Sequence, residues 1–213
     1  MILTNAMRIL NAPVAKRCAR RESWANVWSS WNLPNLLPLL ATEELPLPSP
    51  DPHKLNLMPH DFRCGAFDCG VQSVNEALRG ELLTAIREGR SRAYYVEQNR
   101  KCLGFFALRA ESFHLSDSID RERYSVSSRH VPGVLLELIG VDKTAQGQGL
   151  GEQLLLAAIA LAQQVSSLVA ARFLVLESLP NAVRFYRRRG FIPTMTQGDS
   201  GTTFMVLDLW EGK

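Results

Sequence analysis

From Lys54 onward, apolar and polar positions fall into short runs whose periods predict a defined order of strands and helices. Residues 55–58 read as a short strand. Residues 73–89 carry Asn75, Leu78, Leu82, Leu83 and Ile86 on one helical stripe, and Gly89 supplies a stop. Two strand-like runs follow, 92–97 and 102–110, separated by the polar Gln98-Asn99-Arg100-Lys101, the pattern of a hairpin with a short loop. Residues 112–132 are polar and aperiodic and read as a surface loop. Beyond them the pattern predicts a strand at 134–141, a long apolar helix at 150–165, a strand at 172–177, a helix at 181–189 and a strand at 203–209. The order is that of an α+β domain, without internal repeats.

The first 52 residues follow a different rule. They hold Trp24, Trp28 and Trp31, the cationic cluster Lys16, Arg17, Arg20 and Arg21, and then Pro34, Pro38, Pro46, Pro48, Pro50 and Pro52. The prolines forbid continuous helix and point to an extended linker. The tryptophans fall at i, i+4 and i+7, one face of a short helix if that stretch is helical. Residues 1–52 therefore read as an N-terminal extension to a domain at 53–213. The extension either packs on the domain, remains disordered, or docks a partner or nucleic-acid bases.

Composition narrows the class. A chain of 213 residues with 46% hydrophobic content supports one sizeable core. A net charge of +3 permits a polyanionic partner without demanding one. Cys18, Cys64, Cys69 and Cys102 lack paired metal-ligand spacing, so they read as free thiols of a reducing compartment, and no metal is expected. No apolar run reaches the roughly 20 residues of a membrane-spanning helix, and no signal peptide is legible. The expected compartment is the cytoplasm, away from the membrane.

The chemistry concentrates near Gln146-Gly147-Gln148-Gly149-Leu150-Gly151, between the strand at 134–141 and the long helix. A glycine-rich turn there exposes backbone N–H groups at a helix N-terminus, a site for phosphate oxygens. It is neither a P-loop nor the dinucleotide fingerprint, because neither Gly-Lys-Ser/Thr nor a third glycine follows at the required spacing. Glu137 lies in an apolar strand, so its carboxylate faces solvent, a cleft or a partner. Strict alternation puts it on the face of Ile139 and Val141. Gly140 admits close approach of a ligand or marks a bulge. Tyr186 carries a phenol protonated at neutral pH, suited to a general acid or to simple packing. Asn181 caps the following helix or contacts a ligand. Arg184, Arg187, Arg188 and Arg189 form a solvated face or a phosphate-binding patch.

The glycine loop and Asn181-Ala182-Val183-Arg184-Phe185-Tyr186-Arg187-Arg188-Arg189-Gly190-Phe191 together resemble the acetyl-CoA signature of the GNAT acetyltransferases. That signature is (Gln/Arg)-x-x-Gly-x-Gly/Ala followed by Asn-x-x-x-x-Tyr-x-x-x-Gly-Phe. Phe67-Asp68-Cys69-Gly70, Val74 to Leu78 and Gly104 to Leu108 are further similar to elements of the GNAT toxins of bacterial toxin–antitoxin pairs. The likeness runs over about residues 55–210; the 1–52 extension departs from the usual toxin, and Asn181 fits the general GNAT pattern and is not specific to the toxins.

The resemblance implies a GNAT fold, a mixed central sheet of about six or seven strands flanked by helices. A splayed pair of central strands would hold acetyl-CoA. It places the pantetheine on Ile139, Gly140 and Val141. Gln146, Gly147, Gln148, Gly149, Leu150, Gly151 and Glu152 fall at the pyrophosphate, and Asn181 at a further cofactor contact. It makes Tyr186 the general acid and Glu137 the general base, and it sets Arg184, Arg187, Arg188 and Arg189 against tRNA phosphates. The implied acceptor is the α-amino group of aminoacyl-tRNA, and the implied partner is a ribbon-helix-helix antitoxin. Homodimers are common in the family. The alternatives are an acetyltransferase for a small-molecule or protein amine, and a non-catalytic acyl-CoA-binding module.

Overall fold

The computed structural model describes residues 54–115, 118–197 and 201–210. The expectations for the N-terminal extension, including Trp24, Trp28 and Trp31, lie outside the described residues. Among the described residues the order is β1 (Leu55–Leu57), α1 (Gln72–Arg79), α2 (Glu81–Arg87), β2 (Arg92–Gln98), β3 (Lys101–His114) and α3 (Ser118–Arg123). Then follow β4 (His130–Val141), a 3-10 turn at Lys143–Ala145, α4 (Leu150–Leu168), β5 (Phe173–Ser178), α5 (Val183–Arg187), β6 (Ile192–Gln197) and β7 (Thr203–Asp208). The strands form one mixed sheet in the order β1-β2-β3-β4-β5-β7-β6.

Several boundaries differ from the sequence pattern for identifiable reasons. The stripe at 73–89 is two helices, because Gly80 adopts φ −128° and ψ −84° and breaks the ladder between them. The loop between β2 and β3 is only two residues. Asn99 and Arg100 both take positive φ, and Gln98 pairs directly with Lys101. Residues 112–132 are not all loop. The β3–β4 ladder continues to His114 opposite His130, and α3 follows. Phe113, Leu115, Tyr124 and Val131 are buried there against Phe173, Val175 and Val206, so a third small core closes over this polar stretch. Strand β6 was not expected at all.

The sheet is covered on both faces. Helix α4 lays Leu150, Leu154, Leu155, Ala158 and Ala162 on one face, against Leu103, Phe106, Leu136 and Leu174. Full burial of each such leucine stabilises the fold by roughly 1.5–3 kcal/mol. On the other face, Leu78, Leu82 and Ile86 of α1 and α2 meet Phe67, Phe105 and Ala107. Strands β4 and β5 are parallel, joined by the α4 crossover, and their register covers only Gly133–Phe173, Val134–Leu174 and Leu135–Val175. Beyond Leu135 the two strands part. Among the described residues the β5-facing edge of 136–141 therefore has no strand partner, which is the splay that the resemblance implied.

Candidate active site

The gap between β4 and β5 is a cleft of about 370 Å³. Parting of two parallel strands at their C-terminal ends is the usual place for a ligand in an open sheet with helices on both faces. The cleft brings together Tyr186, Glu137, Ile139, Gly140, Val141, Gln146 and Asn181, seven positions drawn from three separate stretches of sequence.

The glycine loop leads out of this cleft into α4. Gly147 and Gly149 have φ of +77° and +86°, and an added Cβ at either would meet nothing within 4 Å. Glycine is needed there for backbone conformation and not for room. The consequence is a turn whose N–H groups from Gly147 to Gly151 find no protein acceptor among the described residues. Leu150 itself is buried in the core, so only its N–H faces the loop. Gln146 is used differently. Its side-chain amide donates to the carbonyl oxygens of Cys69 and Val141, each at 2.9 Å. It ties the loop to the end of β4 and leaves Val141 O partly engaged.

Tyr186 is 8% exposed, packed edge-on against Phe185 and Phe191. Burial pushes its phenol up to about 12. A group so placed keeps its proton across the neutral range, as a donor to a departing thiolate must. Asn181 also lines the cleft. The helix cap is Ala182, with no side-chain cap bond, so Asn181 is not spent on capping.

Glu137 corrects the alternation rule. Ala107 pairs with Leu138 and Leu108 with Leu136, which leaves Glu137 as the extra residue of a β-bulge. The bulge shifts the phase, so Ile139 and Val141 share the α4 face with Leu136, while Glu137 meets groups on the opposite side. Its carboxylate accepts a hydrogen bond from Ser91 Oγ at 2.7 Å and lies 3.7 Å from Arg109 Nη1. Gly140 is not the bulge. A Cβ there would stand 3.0 Å from Phe105 and 3.3 Å from Phe67, so the missing side chain makes room for two aromatic rings.

Two expected contacts meet each other instead of the cleft. Arg189 forms an ion pair with Glu152, joining the end of α5 to the first turn of α4. Arg184, Arg187 and Arg188 are exposed, with no acidic partner among the described residues. Sequence reasoning passed over Cys69, Val71, Ser73, Val74, Glu177 and Leu179, which also line the cleft. Glu177 carried a readable signal, because it is a carboxylate in an otherwise apolar strand, as Glu137 is. Its Oε2 accepts from Thr202 Oγ1 at 2.8 Å. Among the described residues no group of three or more His, Cys, Asp or Glu side chains is placed to hold a metal ion. No described helix is long and apolar enough to cross a membrane.

A parallel pair parts over a cleft lined by the buried, protonated Tyr186, and a glycine turn with open N–H groups leads from that cleft into α4, the arrangement that the resemblance to the acetyltransferases implied. Comparison with known proteins agrees. Residues 89–193 match the model of the acetyltransferase (GNAT) domain. The tRNA-acetylating toxin of Mycobacterium tuberculosis is 30% identical over 121 residues, which is 57% of this chain and 72% of that protein. The solved structure of AtaT complexed with acetyl-methionyl-tRNAfMet superimposes with a TM-score of 0.63 at 25% identity, over 73% of this chain and 94% of that one. The AtaTR complex bound with acetyl-CoA gives 0.61 at 26% identity, over 72% and 93%. The chain belongs to the GNAT acetyltransferase family and, within it, groups with the toxins of toxin–antitoxin systems.

Proposed function

We propose that this protein is an acetyl-CoA-dependent N-acetyltransferase that modifies the α-amino group of aminoacyl-tRNA and so blocks translation. The observation that carries the reading is the convergence of Tyr186, Asn181 and the open edge of β4 on one cleft, from which Gln146 leads into a loop whose N–H groups at 147–151 find no acceptor among the described residues. These residues fit acetyl-CoA. The N–H groups of Gly147 to Gly151 suit the pyrophosphate oxygens at the positive end of α4. The edge of Ile139 to Val141 and the uncommitted amide of Asn181 suit the pantetheine amides.

The chain's own residues then have distinct tasks. The cleft holds the acceptor nitrogen near the thioester carbon, where a C–N bond forms as the C–S bond breaks. Tyr186 donates its phenolic proton to the departing thiolate sulfur and regains one from solvent. Glu137, kept in place by Ser91 and Arg109, accepts the proton that the amine releases, directly or through water. No covalent bond to the enzyme is needed.

Arg184, Arg187 and Arg188 are the cations available for tRNA phosphates, because they are exposed and unpaired among the described residues. Arg189 is committed to Glu152 and is the weakest candidate of the four. A ribbon-helix-helix antitoxin is the expected neutralising partner, and a tRNA substrate sets the cytoplasm as the compartment. The relatives complexed with acetyl-methionyl-tRNA and acetyl-CoA support this reading. The test is acetyl transfer from labelled acetyl-CoA to charged tRNA, alongside a cell-free translation assay. Label on the charged tRNA with acetyl-CoA-dependent inhibition is expected. Transfer to free amines, with charged tRNA untouched, would contradict it.

A further inference from the structure

Phe67-Asp68-Cys69-Gly70 and Asn75 take no part in the proposed reaction, yet their polar groups converge on the segment that introduces the glycine loop. Asp142 sits between the end of β4 and the 3-10 turn and is 2% exposed. One carboxylate oxygen accepts from Lys101 Nζ at 2.8 Å, Thr144 N at 3.0 Å and Thr144 Oγ1 at 2.6 Å. The other accepts from the backbone N–H of Asp68 at 3.1 Å. Asp68 in turn accepts from Asn75 Nδ2, Gly70 N and Lys143 Nζ, each at 2.8 Å. Its carbonyl takes the N–H of Lys143 at 2.9 Å. Asn75, nearly buried on α1, completes the circuit by accepting from Cys69 N at 3.0 Å.

These bonds join four pieces of chain that are far apart in sequence: the start of β3, the 67–70 turn, α1, and the residues immediately before Gln146. Gln146 adds its own bond to Cys69 O. Beyond Gln146 the glycine loop has only a local side-chain bond among the described residues, from Gln148 Nε2 to Thr144 O at 3.3 Å, and an added Cβ at Gly147 or Gly149 would meet nothing within 4 Å. Its position is therefore set largely from its entrance.

We infer that Asp142, Asp68 and Asn75 form a brace that positions the glycine loop for the pyrophosphate of acetyl-CoA. The inference rests on the reading that this loop binds those phosphates. The brace acts through the loop and touches no substrate, so these are positioning residues. A small displacement of the loop would misalign several N–H donors at once, which makes affinity for acetyl-CoA the quantity most exposed to its loss.

The experiment is calorimetric titration of the full chain with acetyl-CoA, paired with steady-state kinetics and thermal melts. The variants are Asp142→Asn, Asp68→Ala and Asp208→Asn. Asp208 serves as control, because its bidentate pair with Arg172 (2.7 and 2.8 Å) is another part-buried ion pair away from the loop. Asp142→Asn should weaken binding about tenfold, as misplacement of a positioned group does. Asp68→Ala should move in the same direction by a smaller factor. In both, KM for acetyl-CoA should rise while kcat at saturation stays within about twofold of wild type. Asp208→Asn should melt at a lower temperature and bind acetyl-CoA as wild type does.

Wild-type affinity in both brace variants would overturn the inference. So would an equal loss of affinity in Asp208→Asn, because the effect would then be general destabilisation. If Asp142→Asn fails to fold, the exposed Asp68→Ala decides. Wild type that binds no acetyl-CoA would defeat the loop reading itself, an outcome distinct from failure of the brace.

Discussion

Strand β4 keeps β3 as its neighbour along its whole length, but its other edge changes character at Leu136. From Gly133 to Leu135 it is hydrogen-bonded to β5, and Gly133 lies so close to that strand that an added Cβ would stand 2.5 Å from Phe173 O. From Leu136 to Val141 the same edge faces a cleft, and a β-bulge at Glu137 turns a carboxylate toward Ser91 and Arg109. The first half is packed so tightly that it tolerates nothing new. The second half withholds its pairing from the sheet, and the proposed function gives that edge to acetyl-CoA. Unpaired backbone costs stability unless something else bonds to it, so an open strand edge inside a protein is itself an argument for a binding site.

This contrast yields tests of graded size. The largest effect should come from the open half, through Tyr186→Phe. The change removes only a hydroxyl, so folding and acetyl-CoA affinity should barely alter while turnover falls by about 10²–10⁴-fold. Rapid-quench or steady-state kinetics would read it, and turnover near wild type would remove the tyrosine from the mechanism. In the closed half, Gly133→Ala should destabilise the fold by about 3 kcal/mol through overpacking against backbone, measured by denaturant unfolding. A loss under about 0.5 kcal/mol there would show that the pairing is looser than described.

Gly149 to a bulky β-branched residue comes next. Positive φ strains such a side chain, and the turn should reshape enough to weaken acetyl-CoA binding about tenfold, roughly 1.4 kcal/mol. Unchanged affinity would take the loop out of the site. The smallest effects are those of pH. Because the Tyr186 phenol is held up to about 12 by burial, kcat should show no descending limb below about pH 10 from loss of this proton. Asp68 behaves oppositely, since hydrogen bonds from Lys143, Gly70 and Asn75 hold it down to about 2. A carboxylate depressed in the folded state contributes stability above its ordinary value of 3.8, and that contribution disappears as pH falls through about 2. Acid melts of wild type and Asp68→Ala should therefore converge toward the low end of that window.

Much of the site was legible because its signals are local. A glycine turn between strand and helix, and a tyrosine five residues after an asparagine, need no tertiary knowledge to be noticed. What escaped depends on pairing. The bulge at Glu137 is invisible to a period-two reading, which assigns the residue to the wrong face. Gly140 looked like a place for a ligand or a bulge, and only the rings of Phe105 and Phe67 show what fills the space. Strand β6 begins Ile192-Pro193-Thr194 and lies at the sheet edge, where proline and polar residues are tolerated and the apolar pattern fades. The α3 region was obscured for a related reason, since its few buried residues are spaced among charged ones. Asp142 and Asn75 look like ordinary turn and helix residues until the chain folds them onto Asp68.

The most direct test of the difference between the two halves of β4 is amide hydrogen exchange on the wild-type protein, with and without acetyl-CoA. The account predicts that peptides covering 136–141 and 147–151 slow on addition of acetyl-CoA, because their open donors gain partners. Peptides covering 133–135, already paired on both sides, should not change. Protection that leaves 136–151 unaltered, or that appears equally at 133–135, would contradict the assignment of the open edge of β4 as the acetyl-CoA site.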